Sequence, residues 1–358
     1  MTETSRQEAL ERRGTLPRHF VFLLVPEFSL MPFTAAVEPL RVANRMHGGT
    51  PYSWSTASAD GLPVRASNGT LVQVDSALGT SSQADAVIVC GGIAVAEKLD
   101  PAVASRLRRY SRRGVQLGSV CTGSVILADA GLLDGYRCTV HWEEIDSLAE
   151  NYAALTVTRS LFEIDRDRFT CSGGTAPLDL MLHFISADFG RELGARVADQ
   201  MLHHTARQAS EPQRLALSER TGVRHPRLLD VIAAMESNLE SPLPLSDLAQ
   251  AGGMSLRQME RLFMQNLTTH PARYYRNLRL NRARQMVQQT GMSMIQIAVA
   301  TGFTSAAHFA KAYGSLHGLP PSRDRSSASA SRNTGFEPAS RRPAPGLERD
   351  APGTKGSQ

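Results

Sequence analysis

Between residues 245 and 316 one pattern occurs twice: a short helix with an apolar stripe, a glycine turn, and a second helix with a polar face. In the first copy Leu245, Leu248 and Ala249 form the stripe. Gly252 and Gly253 supply the turn, because glycine reaches positive φ cheaply. Ser255 follows as an N-cap with Gln258 three residues on, the spacing of a capping box. Leu256, Met259, Leu262 and Phe263 face inward at helical spacing, while Arg257, Glu260 and Arg261 fall at i, i+3 and i+4 on one exposed face. In the second copy Ile295, Ile297, Ala298 and Val299 lie in the first helix, Gly302 near the turn, and Phe309 and Tyr313 anchor the second helix. Between the copies Pro271 suits the first turn of a helix expected from Ala272 to about Gln289, with Leu278, Leu280, Ala283, Met286 and Val287 apolar. Each copy reads as a helix-turn-helix. A connector of about 18 residues spans roughly 27 Å, so two reading helices held by it fit successive major grooves about 34 Å apart.

Charge is divided along the chain in the same sense. Residues 1–208 carry 20 Lys and Arg against 23 Asp and Glu, whereas residues 209–325 carry 14 against 8. A basic module beside a mildly acidic one points to a polyanionic partner for the basic part. Arg257, Arg261, Arg273, Arg276, Arg279, Arg282 and Arg284 stand between residues 255 and 284 against one acid, Glu260, which favours a nucleic-acid face over a merely solvated one.

The chain of 358 residues exceeds what one core usually serves, so two domains are expected. Apolar runs at 20–25, 86–89 and 115–120 read as buried strands, and 156–164 and 169–171 as later strands around an Asp165-Arg166-Asp167 turn. Helical patterns at 33–44, 101–113, 123–130, 177–189 and 192–204 alternate with them, the signature of a parallel sheet covered by helices on both faces. The expected organisation is a flexible start (1–17), a flavodoxin-like α/β domain (18–207), a linker (208–226), an all-α double helix-turn-helix domain (227–325) and a Ser/Ala/Arg/Pro-rich disordered tail (326–358). No apolar run reaches the ~18 residues of a membrane span, and no leader pattern opens the chain, so a cytoplasmic protein is expected. Cys90, Cys121, Cys138 and Cys171 include no CxxC pair, which argues against a zinc site or a disulfide framework. No metal and no cofactor is expected.

On the segments 255–263, 271–284, Ile297-Ala298, Gly302-Phe303, His308-Phe309, Gly318, Pro321 and Arg325, the stretch from about 228 to 325 resembles an AraC/XylS-family DNA-binding domain. That resemblance implies double-stranded DNA bound at an asymmetric site by both motifs, usually to activate transcription with RNA polymerase. By position it assigns base contacts to Arg257, Glu260 and Arg261 in the first motif. The candidate positions in the second are Ala306, Ala307, His308 and Lys311. Alanines meet thymine methyls but donate no hydrogen bond, so that half should discriminate bases less sharply. Where the family often carries Tyr before the closing Arg325, this chain has Asp324.

In the first half, the segment from Gly118 to Ser124 places Cys121 between a strand and a helix, as a nucleophile elbow does, near a helix N-terminus where a thiolate is favoured. With Val87-Ile-Val-Cys-Gly-Gly92, Ala130-Gly-Leu-Leu-Asp-Gly135, Thr139-Val-His-Trp142 and Thr170-Cys-Ser-Gly-Gly-Thr175, residues 20–205 resemble the class I glutamine amidotransferase/PfpI-like domain of GlxA-type regulators. They look most like the branch that responds to glycine betaine, carnitine or arginine, and a homodimer is implied. Peptidase-like relatives commonly carry His directly after the cysteine; Thr122 stands there, so a ligand pocket over an inactive elbow is expected rather than an enzyme. Its expected residues are Glu38, Asn68, Cys121, Thr122, His141 and Trp142, with Phe28, Phe33 and Phe162 as apolar lining. Plainer readings stand beside these: core for the aromatics and His141, a helix-surface pair for Glu38, a turn for Asn68-Gly69. Two other functions stay open, a cysteine hydrolase tethered to DNA and a DNA-binding adaptor without a ligand.

Overall fold

Strand β1 (Arg18–Leu24) shows why the first half folds as layers. Phe20, Phe22 and Leu24 alternate with Val21 and Leu23, and all five are buried, so both faces of the strand must be covered. The computed structural model describes residues 18–80, 84–92 and 100–333; the expected flexible start, 1–17, lies outside them. Helix α1 (Leu30–His47) follows, then β2 (Tyr52–Ser58), the short strands β3 (Val64–Arg65), β4 (Leu71–Val72) and β5 (Ser76–Ala77), and β6 (Ala86–Cys90). Next come α2 (Pro101–Arg112), β7 (Gln116–Val120), α3 (Gly123–Asp129), β8 (Arg137–Cys138), α4 (Ile145–Asn151), β9 (Thr156–Val157), β10 (Phe162–Asp165), β11 (Arg168–Cys171), α5 (Ala176–Phe189) and α6 (Arg191–Gln200). Seven strands form one sheet in the order β10-β11-β7-β6-β1-β2-β5, parallel throughout except for the β10–β11 edge hairpin. On the Phe20 side α1, α5 and α6 cover it; on the Val21 side α2, α3 and α4 do.

The single strand expected over 156–164 is two. Thr139 Oγ1 donates to the carbonyls of Thr158 (3.1 Å) and Ser160 (2.9 Å), which bends the chain there. As a result β9 pairs with β8 in a separate two-stranded sheet while β10 edges the main one. The turn at Asp165–Asp167 forms, with Arg166 at φ 56°.

The segment between the halves contains a short helix, α7 (Leu217–Thr221). Its start is pinned to the α/β layers: the buried Asp179 carboxylate accepts from Arg207 Nε (3.0 Å), Arg207 Nη2 (2.7 Å) and the Arg207 amide (2.8 Å), and pairs with His203 (2.8 Å).

The second half is all helical: α8 (Pro226–Ser237), α9 (Leu245–Ala251), α10 (Leu256–Leu267), α11 (Pro271–Gln289), α12 (Met294–Ala300), α13 (Ala306–His317) and α14 (Pro321–Asn333). It has two cores. One gathers α8, α9 and α10 with Tyr275 of α11; the other gathers Leu280, Ala283 and Val287 of the same α11 with α12 and α13. The 19-residue connector thus contributes to both. Disorder was expected from residue 326, but α14 continues to Asn333, because Asp324 and Arg325 anchor its first turns on α11 and α13 and Ser326 Oγ donates to the Ser322 carbonyl. The rest of that tail lies outside the described residues. Among the described residues no helix is long and apolar enough to cross a membrane.

Candidate nucleic-acid interface and ligand site

The second helices of the two repeat copies, α10 and α13, begin with the same device. Ser255 Oγ accepts from the Gln258 amide (3.3 Å) and Ser305 Oγ from the His308 amide (3.4 Å), so each helix start is tied down by a serine. The reciprocal capping box expected at Ser255 is instead complete at Ser293, where Gln296 Oε1 accepts from the Ser293 amide. Met259, Leu262 and Phe263 seat α10, and Phe309 and Tyr313 seat α13. Leu256, expected inward, is 43 % exposed, since it starts its helix ahead of the first turn that packs. Ile295 and Val299 are exposed as well; Ile297 and Ala298, with the partly buried Met294, carry the packing of α12. Arg257, Glu260 and Arg261 share the exposed face of α10, and Ala306, Ala307, His308 and Lys311 that of α13. Gly302 makes the second turn at φ 73°, where a Cβ would come within 2.7 Å of Pro242.

The connector arginines do not form one nucleic-acid face, contrary to the expectation from their density. Arg279 donates to the Thr301 carbonyl (2.7 Å) and the Gly302 carbonyl (2.5 Å) and lies over Phe303, 4.2 Å from the ring centroid. Arg284 donates to Asp324 (2.9 Å), and Arg282 reaches across to the Glu143 carbonyl (3.0 Å) of the α/β half. Only Arg273 and Arg276 are exposed. Asp324 also accepts from Tyr313 (2.6 Å) and Gln288 (2.9 Å). Burial works to raise its carboxyl, but these hydrogen bonds outweigh it and hold the group below the ordinary aspartate range.

The elbow is present in the α/β half. Cys121 sits between β7 and α3 at φ 59°, a conformation rare for a side-chain-bearing residue. The backbone there is crowded: a Cβ on Gly91 would lie 2.2 Å from the Gly123 amide, and one on Gly123 would lie 2.2 Å from the Val89 carbonyl oxygen. The thiolate expected there does not fit its surroundings. Burial pushes the Cys121 thiol up, outweighing the hydrogen bonds that Ser29 and the Thr122 backbone offer a thiolate; as a thiol it donates to Ser29 Oγ at 3.7 Å. Thr122 Oγ1 donates to the Gly92 carbonyl (2.6 Å). The His141 amide donates to the Cys121 carbonyl (3.3 Å), and its ring Nδ1 lies 3.6 Å from Glu143. Burial lowers the His141 pKa against the pull of Glu143, which favours the neutral imidazole at neutral pH.

A cleft of about 1390 Å³ opens over this elbow. Of the expected ligand residues, Cys121, Thr122, His141 and Trp142 line it, together with Glu143 and Glu144. Its opposite wall comes from the linker and connector, including Arg214, Tyr274, Arg282 and Gln285, so the cleft lies between the halves. The other five expected residues stand elsewhere. Glu38 pairs with Arg41 (2.7 Å) on the α1 surface, and Asn68 Oδ1 caps a turn by accepting from the Thr70 amide (3.0 Å). Phe28 and Phe162 are buried in the core, and Phe33 packs edge-on against Phe22 and Phe28. Glu143 and Glu144 follow His141-Trp142 directly, a signal that was available; nothing in sequence brings Arg214 or Gln285 there. Among the described residues no group of three or more His, Cys, Asp or Glu side chains is placed to hold a metal.

Residues 248–327 match the helix-turn-helix domain family, and residues 19–187 match the DJ-1/PfpI family. The chain is 44% identical over 309 residues to the HTH-type transcriptional regulator GbdR of Pseudomonas aeruginosa, covering 86% of this chain and 84% of that protein. To the HTH-type transcriptional regulator CdhR of the same organism it is 44% identical over 310 residues, 87% of this chain and 92% of that one. To the HTH-type transcriptional regulator GlxA of Rhizobium meliloti it is 37% identical over 301 residues, 84% and 93% respectively.

Proposed function

The chain belongs to the AraC/XylS-family transcriptional regulators with a DJ-1/PfpI-like sensor domain of the GlxA type, and on that footing we propose that it activates catabolic genes in response to a small nitrogenous metabolite. It is a DNA-binding regulator that answers to a small molecule; its relatives are regulators, not hydrolases. The effector in this reading is glycine betaine, carnitine or arginine, and it binds in the cleft over Cys121. One observation carries the choice of site: the elbow faces the linker and connector helix, so an occupant there touches both halves at once. The buried thiol held by Ser29, beside a histidine whose pKa burial lowers, supports binding over turnover.

In the same reading residues 18–207 form the sensor, 208–226 the linker and 227–325 the DNA-binding domain. Arg257, Glu260 and Arg261 contact bases, with Ala306, Ala307, His308 and Lys311 as the weaker reader. A homodimer working with RNA polymerase completes the proposal. A thermal-shift screen of the full chain against glycine betaine, carnitine, choline and arginine tests the effector. A true ligand at 100 times its Kd adds about 2.7 kcal/mol of stability. No shift from any of them overturns the effector class and favours an adaptor without a ligand.

A further inference from the structure

The face of Trp142 is already occupied from within the chain. The guanidinium carbon of Arg214 lies 4.3 Å from the Trp142 ring centroid, the geometry of a cation–π contact. Arg214 belongs to the segment joining the two halves, and its Nη1 also lies 3.9 Å from Glu236 of α8. Glu236 is the carboxylate that Arg220 grips with both terminal nitrogens, at 3.0 and 2.9 Å. Burial depresses the Arg214 pKa and the neighbouring Arg220 adds to that, while Glu236 and Glu143 oppose them. The guanidinium is therefore kept in a partly desolvated place by the ring and the carboxylates around it.

Its neighbours connect this place to the elbow and to the connector helix. Gln213 Nε2 donates to Thr139 Oγ1 (3.0 Å), the Val140 carbonyl (2.9 Å) and the Ser160 carbonyl (2.9 Å), so the linker is stitched to the strand end that leads into His141. Gln213 Oε1 is buried with no hydrogen-bond partner, which leaves that stitch incomplete. On the other side of Trp142, Glu143 accepts from Gln285 Nε2 (3.0 Å) at its carboxylate and from Arg282 (3.0 Å) at its carbonyl, both donors on α11. Residues 141–144 thus start on the Cys121 carbonyl and end on the helix that contributes to both DNA-reading units.

We propose that the Trp142 face is a cation seat which the linker's own Arg214 fills in the unliganded protein, and that an organic cation entering the cleft takes this seat, displaces Arg214 and loosens the linker from α8. The proposal rests on the cleft being the effector site, and it names the part of the effector that is held at this ring, its quaternary ammonium or guanidinium group. Glu143 and Glu144 line the same cleft and favour the cationic end of a ligand at this ring. The exchange follows from mass action: a ligand shifts the linker only by its preference for the state with Arg214 out, and sharing one seat supplies that preference.

The test uses the full chain with Trp54→Phe, which leaves Trp142 as its one tryptophan. Glycine betaine, carnitine, arginine and tetramethylammonium chloride are titrated by Trp142 fluorescence against sodium chloride at matched ionic strength. Amide hydrogen exchange over residues 208–221 is followed in parallel. Arg214→Ala is expected to bind cations at least fivefold more tightly, with exchange in 208–221 already fast. The parent should reach fast exchange only when saturated, and Arg214→Lys should restore competition. Cation affinity within twofold of the parent in Arg214→Ala, or unchanged exchange at saturation, overturns the seat; so does failure of every cation to bind either protein. Binding of tetramethylammonium to Arg214→Ala without binding of the three metabolites keeps the seat and overturns the effector identity.

Discussion

Arg261 and Arg284 come from the same basic third of the chain and have different surroundings. Arg261 is exposed on the outer face of α10, where a base edge can meet it; Arg284 is committed to Asp324. Arg261→Ala is therefore expected to cost about 1–3 kcal/mol of operator affinity in a gel shift and to relax base preference, while thermal stability is kept. Unchanged affinity and preference would remove it from the interface. Asp324 answers to a different measurement. Asp324→Ala leaves the Tyr313 hydroxyl and the Gln288 amide without their acceptor and is expected to destabilise the fold by about 1–3 kcal/mol. Its folded pKa lies below the ordinary 3.8, so its contribution is present above that pH and is lost as pH falls through the folded value. The Tm gap between parent and variant should accordingly narrow below about pH 4, and a constant gap would count against this role. The residue that departs from the family's common Tyr thus ties α11, α13 and α14 together.

Among the elements, α11 shows how far pattern reading carries. Its expected span, Ala272 to about Gln289, follows from Pro271 in the first turn and from apolar spacing, and the structure has it one residue longer, Pro271–Gln289. Which arginines it lends to other helices does not follow, because that depends on which loop folds back against it. Arg279 holds the Thr301–Gly302 turn and Phe303, whereas Arg276 is exposed. Arg279→Ala is expected to lower stability by about 1.5 kcal/mol or more, and Arg276→Ala to stay within about 0.5 kcal/mol, in chemical denaturation of the full chain. Equal effects would sink the distinction. The strand expected over 156–164 failed for a related reason. No glycine or proline interrupts the run, and the bend at Thr158–Ser160 is imposed by Thr139, a distant side chain that bonds two carbonyls inside it.

At the scale of the whole molecule, one helix lends side chains to two cores, so α10 and α13, the second helices of the two repeat copies, are held at a set separation. Two protected major-groove segments about 34 Å apart on one face of the duplex are expected in a footprint. Inserting about five base pairs between them rotates the second segment to the far side of the DNA, and binding should drop toward that of one motif alone. Retained full affinity would mean that the motifs do not bind as one rigid pair. The same helix receives Glu143 of the α/β half, so that half and both helix-turn-helix units meet along α11.

The repeat of striped helix, glycine turn and capped helix, and the alternation of apolar runs with helical spacing, determined both folds. Those patterns are short-range: caps, turns and buried faces are set by residues three or four apart in a helix, or two apart in a strand. The elbow at Cys121 was legible for the same reason, as a strand, a sharp turn and a helix in seven residues. The state of the thiol, and the cleft above it, were decided only by tertiary structure. Burial sets the proton of Cys121, and the wall opposite it is built by Arg214, Arg282 and Gln285, which approach because two cores dock rather than because any local pattern places them there. Glu38, Asn68 and the three phenylalanines have chemistry that suits a pocket. Packing sent them to a helix surface, a turn and the core, since side-chain chemistry names what a residue can bind but not which surface it will face.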